Sequence, residues 1–190
     1  MMLSIFKGYA DTVPVSVTLD EVVRLIREDK VLADRTEKYR YYRSQGQKTA
    51  ASREKAACPC FAVAVCFDGG KRSADISGWT GLSMVDFDHL PEGRAGEVFE
   101  KVCADPHTVL AYTTISGQGV RVVCRYCLEG EAADKDRLTL YAQVFSRVNE
   151  YYQKLTKCAF DPACKNATRL SGLAHDAQVH YHDGAEPFRF

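Results

Sequence analysis

Residues 81–89, Gly81-Leu82-Ser83-Met84-Val85-Asp86-Phe87-Asp88-His89, carry the reading of the fold. Gly81 to Val85 is small or apolar, as in a strand buried on both faces, and two acids and a histidine follow where such a strand would meet its turn. Successive strand residues point to opposite faces, so Asp86 and Asp88 are expected on one side, with Val85 and Phe87 packed on the other. Two carboxylates about 7 Å apart repel each other unless a cation or a basic side chain offsets the charge. Hard divalent cations such as Mg²⁺ or Mn²⁺ prefer such oxygen donors. A strand end whose acids simply face water is the competing reading, and the position at a sheet rim argues for a site.

Before this strand, Phe61 to Phe67 is almost wholly apolar and runs into Asp68-Gly69-Gly70, the pattern of one short buried strand and a turn. A further strand is expected within Ile76 to Trp79. After Pro91, Val98, Phe99, Val102 and Cys103 form a helical face that Asp105-Pro106 ends. Two strands follow, Thr108 to Ile115 and Val120 to Cys127, joined by Ser116-Gly117-Gln118-Gly119. Leu138, Tyr141, Ala142, Phe145, Val148, Tyr152 and Leu155 recur at intervals of three and four, which predicts a long amphipathic helix over Asp134 to Lys157. A late strand is expected near Gln178 to Tyr181. Strand, helix, strand, strand, helix is the split βαβ order of ferredoxin-like and RNA-recognition-motif (RRM)-like sheets. The fold class expected is therefore α/β (α+β), a mainly antiparallel sheet with helices on one face and a smaller N-terminal α/β unit.

Toward the N-terminus, Thr18-Leu19-Asp20-Glu21 has capping-box spacing and opens a helix through Val22, Val23, Leu25 and Ile26. From Arg35 to Lys55 seven lysines and arginines face only Glu37 and Glu54, with tyrosines between them. Lys38, Tyr39, Arg40, Tyr42, Arg43, Lys48, Arg53 and Lys55 are the candidates for nucleic-acid contact, because such surfaces combine phosphate-tracking cations with rings that stack on bases. A solvated helix with some tyrosines in the core explains them equally.

The chain of 190 residues, 46% hydrophobic, fits one domain, with residues 1–75 as the N-terminal unit and 76–190 as the RRM-like core. Lysine plus arginine equals aspartate plus glutamate at 25 each, so a charged partner has to be argued from local charge. Neither a signal peptide nor a membrane span is evident, and eight cysteines without an export signal read as reduced thiols of a cytoplasmic protein. Cys124-Arg125-Tyr126-Cys127 has zinc half-site spacing but falls in a strand, where the two cysteines face apart. Cys58, Cys60, Cys158 and Cys164 match no zinc-knuckle spacing. His175, His180 and His182 near Asp176 and Asp183 rank as a second candidate metal cluster beside the plainer reading of a polar tail.

Two more pieces bear on chemistry. The glycine-rich Ser116-Gly117-Gln118-Gly119-Val120-Arg121 could cradle an anion on backbone amides, with Arg121 as a charged partner, although a hairpin calls for glycine anyway. Asp161, in the turn signal Asp161-Pro162, could be a third metal ligand, and Arg169 a phosphate clamp.

Acid pair, glycine-rich basic hairpin and lone acid, in that order, resemble the archaeo-eukaryotic primase (primase-polymerase) superfamily. The closest likeness is to the VirE-type N-terminal domains of replication proteins of bacterial mobile elements, over roughly Tyr39 to Tyr181. The resemblance implies that Asp86, Asp88 and Asp161 are catalytic residues holding two divalent ions, Mg²⁺ or Mn²⁺. These would align a primer 3′-hydroxyl with an incoming nucleotide triphosphate. Ser116, Gly117, Gly119, Arg121, Arg169 and His89 would bind the nucleotide, and single-stranded or primed DNA would be the template, with a helicase domain as a possible partner. Active members carry a histidine on the second-motif strand where this chain has Arg121, Val122 and Val123. The alternatives are a catalytically inactive nucleic-acid-binding module and a metal-dependent nucleotide or phosphodiester hydrolase.

Overall fold

The computed structural model describes residues 2–129 and 137–190. Strands β1 (Met2–Phe6) and β2 (Val15–Thr18) form an antiparallel pair, and helices α1 (Leu19–Glu28), α2 (Lys30–Ser44) and α3 (Lys48–Ala57) follow. Next come β3 (Cys60–Ala62), β4 (Val65–Phe67), β5 (Ile76–Trp79), β6 (Leu82–Phe87), α4 (Arg94–Cys103), β7 (Thr108–Thr113), β8 (Val120–Cys127) and α5 (Arg137–Thr156). Three short strands close the chain, β9 (Leu170–Gly172), β10 (His180–Tyr181) and β11 (Phe188–Arg189). The class is α+β, with sheets antiparallel apart from β11, which lies parallel to the end of β8.

The second sheet carries the expected core. β8 lies between β6 and β7, α4 and α5 cover one face, and β10 extends the β7 edge. Every residue of β6 is buried, because helices cover one face and the N-terminal sheet, in the order β2-β1-β3-β9, covers the other. Val85 and Phe87 pack with Val98, Val102, Val148 and Tyr152 of the two helices, whereas Leu82 and Met84 belong to the cluster shared with the N-terminal unit. Asp86 follows the same alternation, so it points into the seam between the two sheets.

The capping box forms as expected: the Thr18 hydroxyl accepts from the Glu21 amide at 3.2 Å and Glu21 accepts from the Thr18 amide at 2.6 Å. The long helix covers Arg137–Thr156; residues 134–136, where its start was expected, lie outside the described residues. Two expectations need correction. Phe61 to Phe67 is two strands, not one: the chain bends at Val63 and Ala64, whose carbonyls accept from the Thr80 hydroxyl and amide, and β3 and β4 pair in different sheets. The N-terminal unit is also not closed within residues 1–75, since β9 from the far end of the chain completes its sheet and β4 pairs with β5.

Candidate functional site

Cross-strand register sets three side chains in a row on the seam face of the second sheet, with Asp86 opposite Arg121 and Arg121 opposite Tyr112. The Arg121 guanidinium donates to Asp86 Oδ2 at 2.6 Å and to the Ser171 hydroxyl at 2.7 Å. Tyr112 donates to the Gly172 carbonyl at 3.0 Å, and Ser171 lies 3.0 Å from the Tyr112 oxygen. A polar network thus ties β6, β7 and β8 to β9 across the seam, and it is left incomplete. Asp86 Oδ1 and Arg121 Nε are buried without a hydrogen-bond partner.

Burial pushes the Asp86 carboxyl above its usual value, with the Asp88 and Asp161 charges adding to the rise and Arg121 opposing it. Burial is the strongest influence on Arg121 and acts against its charge, but Asp86 together with Tyr112, Cys164 and Tyr9 outweighs it, and the guanidinium pKa is raised. Asp161 reaches the pair through the backbone. Its amide donates to the Asp86 carbonyl at 2.8 Å, running the segment after α5 beside the end of β6. The Asp161 side chain also caps a short 3₁₀ turn, Pro162–Lys165, by accepting from the Ala163 amide.

Asp88 lies just past β6. Its Oδ1 accepts from the His89 amide at 2.8 Å, and the imidazole stands 3.6 Å from its other oxygen. His89 has a φ of 54° and turns the chain back, so that the Leu90 amide donates to the Gln118 carbonyl of the β7–β8 hairpin.

These groups open onto one cavity of about 520 Å³. The carboxylates of Asp86, Asp88 and Asp161 line it together with five cations, Arg40, Arg43, Lys55, Arg121 and Arg169. Of the expected nucleotide-binding residues, Ser116, Arg121, Arg169 and His89 are on its wall. Gly117 and Gly119 belong to the hairpin instead, where Gly119 is packed against the Phe87 carbonyl and Gly117 takes a φ of 73°.

The basic segment is a helical hairpin, α2 and α3, stabilised by Arg35 paired with Glu54 at 3.2 Å. Tyr39, Arg40, Arg43 and Ser44, one face of α2, and Lys55 of α3 line the cavity. Arg40 Nε donates to the Ile115 carbonyl at 3.1 Å and so fixes this face to the β7–β8 hairpin. Lys38 pairs with Asp34 and Tyr42 packs beside Tyr41; these two, Lys48 and Arg53 are not on the wall.

The histidine cluster does not gather as a ligand set. His175 bonds the Arg27 carbonyl, His180 sits in β10, and the Asp176 carboxylate accepts from the Thr113 amide. Among the described residues the one group of possible metal ligands in mutual reach is Asp86, Asp161 and Cys164. Cys164, whose thiol burial raises to about 11, matched no zinc spacing in the sequence and had no mark there as a neighbour of the acids, and Tyr9 and Ser171 had no signal there. None of the eight cysteines is paired in a disulfide.

Residues 53–181 match the family described as BT4734-like, N-terminal domain. The match spans more than half of the chain, which therefore belongs to that family. No curated protein and no solved structure matches it. No helix among the described residues is long and apolar enough to cross a membrane.

Proposed function

We propose that this BT4734-like N-terminal domain binds a nucleoside triphosphate with divalent metal in its central cavity and transfers the nucleotide to a primer on a nucleic-acid template. One observation carries the reading: three carboxylates and five cations from both halves of the chain line a single cavity of about 520 Å³. That pairing of charges suits a polyphosphate held together with its cations. The order of the three motifs along the chain, which resembles the primase-polymerase pattern, supports the same reading.

The residues fit a divalent ion, because a buried Asp86 oxygen has no protein partner and Asp88 and Asp161 bring further oxygen donors to the same wall. Asp86, Asp88 and Asp161 would hold it. When bound, such an ion supplies a lowered pKa for the attacking hydroxyl and charge neutralisation on the leaving pyrophosphate. Arg121 and Arg169 would hold the phosphates, with Arg121 aimed by Ser171 and Asp86. The Ser116 hydroxyl accepts from the Gln118 amide and fixes the hairpin beside them. The α2 face of Tyr39, Arg40 and Arg43 would follow the template backbone, with single-stranded or primed DNA as the nucleic acid.

The Asp86–Arg121 ion pair favours a second reading, nucleotide binding without turnover, since a guanidinium already neutralises the acid that a cation would need. The test is Mn²⁺ and nucleotide calorimetry together with extension of a labelled primed template. The expected result is extension by the unmutated chain, and loss of both extension and Mn²⁺ binding in the Asp86→Ala, Asp88→Ala double variant. Binding with no incorporation under either metal selects the second reading, release of free nucleotide products selects hydrolysis, and Mn²⁺ affinity unchanged in the double variant refutes the metal site.

A further inference from the structure

A buried thiol converges on two of the three carboxylates. Cys164, 2% exposed, sits in the 3₁₀ turn that Asp161 caps. Its sulfur lies 3.9 Å from Asp86 Oδ2, the oxygen that also accepts from Arg121, and 3.9 Å from Asp161 Oδ2. One donor atom from each of the three residues falls within 4.8 Å of the others. A tetrahedral cation with a thiolate at about 2.3 Å and carboxylate oxygens at about 2.1 Å separates such donors by about 3.6 Å. Closing from the observed spacing takes only small side-chain shifts.

The second observation is the acid itself. Asp86 is 7% exposed, and its Oδ1 is buried with no hydrogen-bond partner, while Arg121 occupies only the other oxygen. A buried carboxylate oxygen without a partner is costly to keep and calls for one. Asp88, the residue that spacing pairs with Asp86, lines the same cavity but accepts from the His89 amide and is not among the three residues in mutual reach.

We infer that Asp86, Asp161 and Cys164 form a three-ligand site for a divalent cation of the Co²⁺ or Zn²⁺ kind, and that the thiol makes this site discriminate against Mg²⁺. The inference rests on the metal-dependent reading of the cavity and adds to it a thiol ligand and the class of ion. Mg²⁺ demands oxygen donors in near-octahedral array, whereas a thiolate selects softer ions. On binding, the S–H bond of Cys164 breaks, its proton passes to solvent and the sulfur bonds to the metal.

The test uses the full chain stripped by chelator and titrated anaerobically with Co²⁺, followed by calorimetry and by the near-ultraviolet sulfur-to-cobalt charge-transfer band. The band is expected to appear and saturate at one equivalent, to vanish on adding Zn²⁺, and to persist in excess Mg²⁺. Cys164→Ser should abolish the band and weaken Co²⁺ binding at least about tenfold, since even the groups that orient a ligand are worth that much. As a check independent of the variant's folding, peptide mapping of the unmutated chain should show Zn²⁺, and not Mg²⁺, protecting Cys164 from alkylation. Co²⁺ bound without the band, or Cys164 alkylated equally with and without Zn²⁺, overturns the thiol ligand and leaves the carboxylate site standing. No binding of Mn²⁺, Co²⁺ or Mg²⁺ to the unmutated chain overturns the metal reading of the cavity as well.

Discussion

Replacing Gly119 by alanine tests how the β7–β8 hairpin is locked to the strand end that bears the acids. Gly119 is buried, and a Cβ there would stand 2.5 Å from the Phe87 carbonyl oxygen, 2.7 Å from the Thr114 hydroxyl and 3.4 Å from the Asp88 Cα. The nearest of these is backbone, so no rotamer change relieves it; the hairpin must separate from the end of β6. Overpacking of this kind costs about 1–3 kcal/mol, and the lower entropy of alanine in the unfolded chain returns about 0.4–1 kcal/mol. The net loss is about 1–2 kcal/mol, which at this chain length lowers Tm by about 2–8 °C. Scanning calorimetry reads this, and Mn²⁺ calorimetry on the same sample should show weaker binding because Asp88 moves with the hairpin. Gly117→Ala is the contrast. It places an L-residue at a φ of 73° but meets nothing closer than 3.6 Å, so it should cost about 1–2 kcal/mol while leaving Asp88 in place. A Tm for Gly119→Ala equal to or above that of the unmutated chain would refute the close-packing account.

Three further perturbations follow from single contacts. Thr18→Ala removes the acceptor of the α1 capping box and should lower urea-unfolding stability by about 1 kcal/mol. Asn149, fully buried in α5, donates from its amide to the carbonyls of Met84 and Phe145 at 3.1 and 2.8 Å; Asn149→Ala should cost about 1–3 kcal/mol and loosen α5 on β6, which hydrogen exchange of the Val85 and Asp86 amides would report. Because burial raises the Asp86 pKa above 3.8, the folded chain holds that proton more tightly than the unfolded one. This contribution is fully present below 3.8 and is lost as pH rises through the raised folded value. In chelator, the stability of Asp86→Asn relative to the unmutated chain should therefore rise with pH across that window, and a flat or falling difference in denaturant titrations rules the argument out.

Much of the second sheet was legible because its signals are local. The apolar run of β6 and the three-and-four spacing of Tyr141, Phe145, Val148 and Tyr152 each mark an element by its own burial. The α2–α3 hairpin was not. It buries only Leu32, Thr36 and Ala51, so no apolar stripe marks it, and caps such as Asp29 on the Leu32 amide and the Arg35–Glu54 pair support it instead. The split of Phe61 to Phe67 is invisible in a sequence that is apolar on both sides of the bend. β9 and β11, at three and two residues, exist only through partners far away in the chain. The acids followed the same division. Asp86 announced itself at a strand end, but the approach of Asp161 depends on one backbone hydrogen bond, and that of Cys164 on the turn that bond sets up.

The seam between the two sheets is also where stability and ligand binding pull apart. Met84 and Tyr112, beside Asp86 and Arg121, are fully buried, so an apolar pair at 86 and 121 would continue the core without taking two charges out of water. The chain instead keeps an ion pair whose geometry spends only half of its capacity, leaving one carboxylate oxygen and one guanidinium nitrogen without partners. A pair serving only the fold gains nothing from those two vacancies. On the proposed reading, a cavity that receives a cation and a phosphate together could use both, the oxygen as a cation ligand and the nitrogen as a phosphate donor. On that reading the ion pair would act as a placeholder: each partner neutralises the other until ligands of the opposite charges arrive, and the buried charges stay compensated in both states.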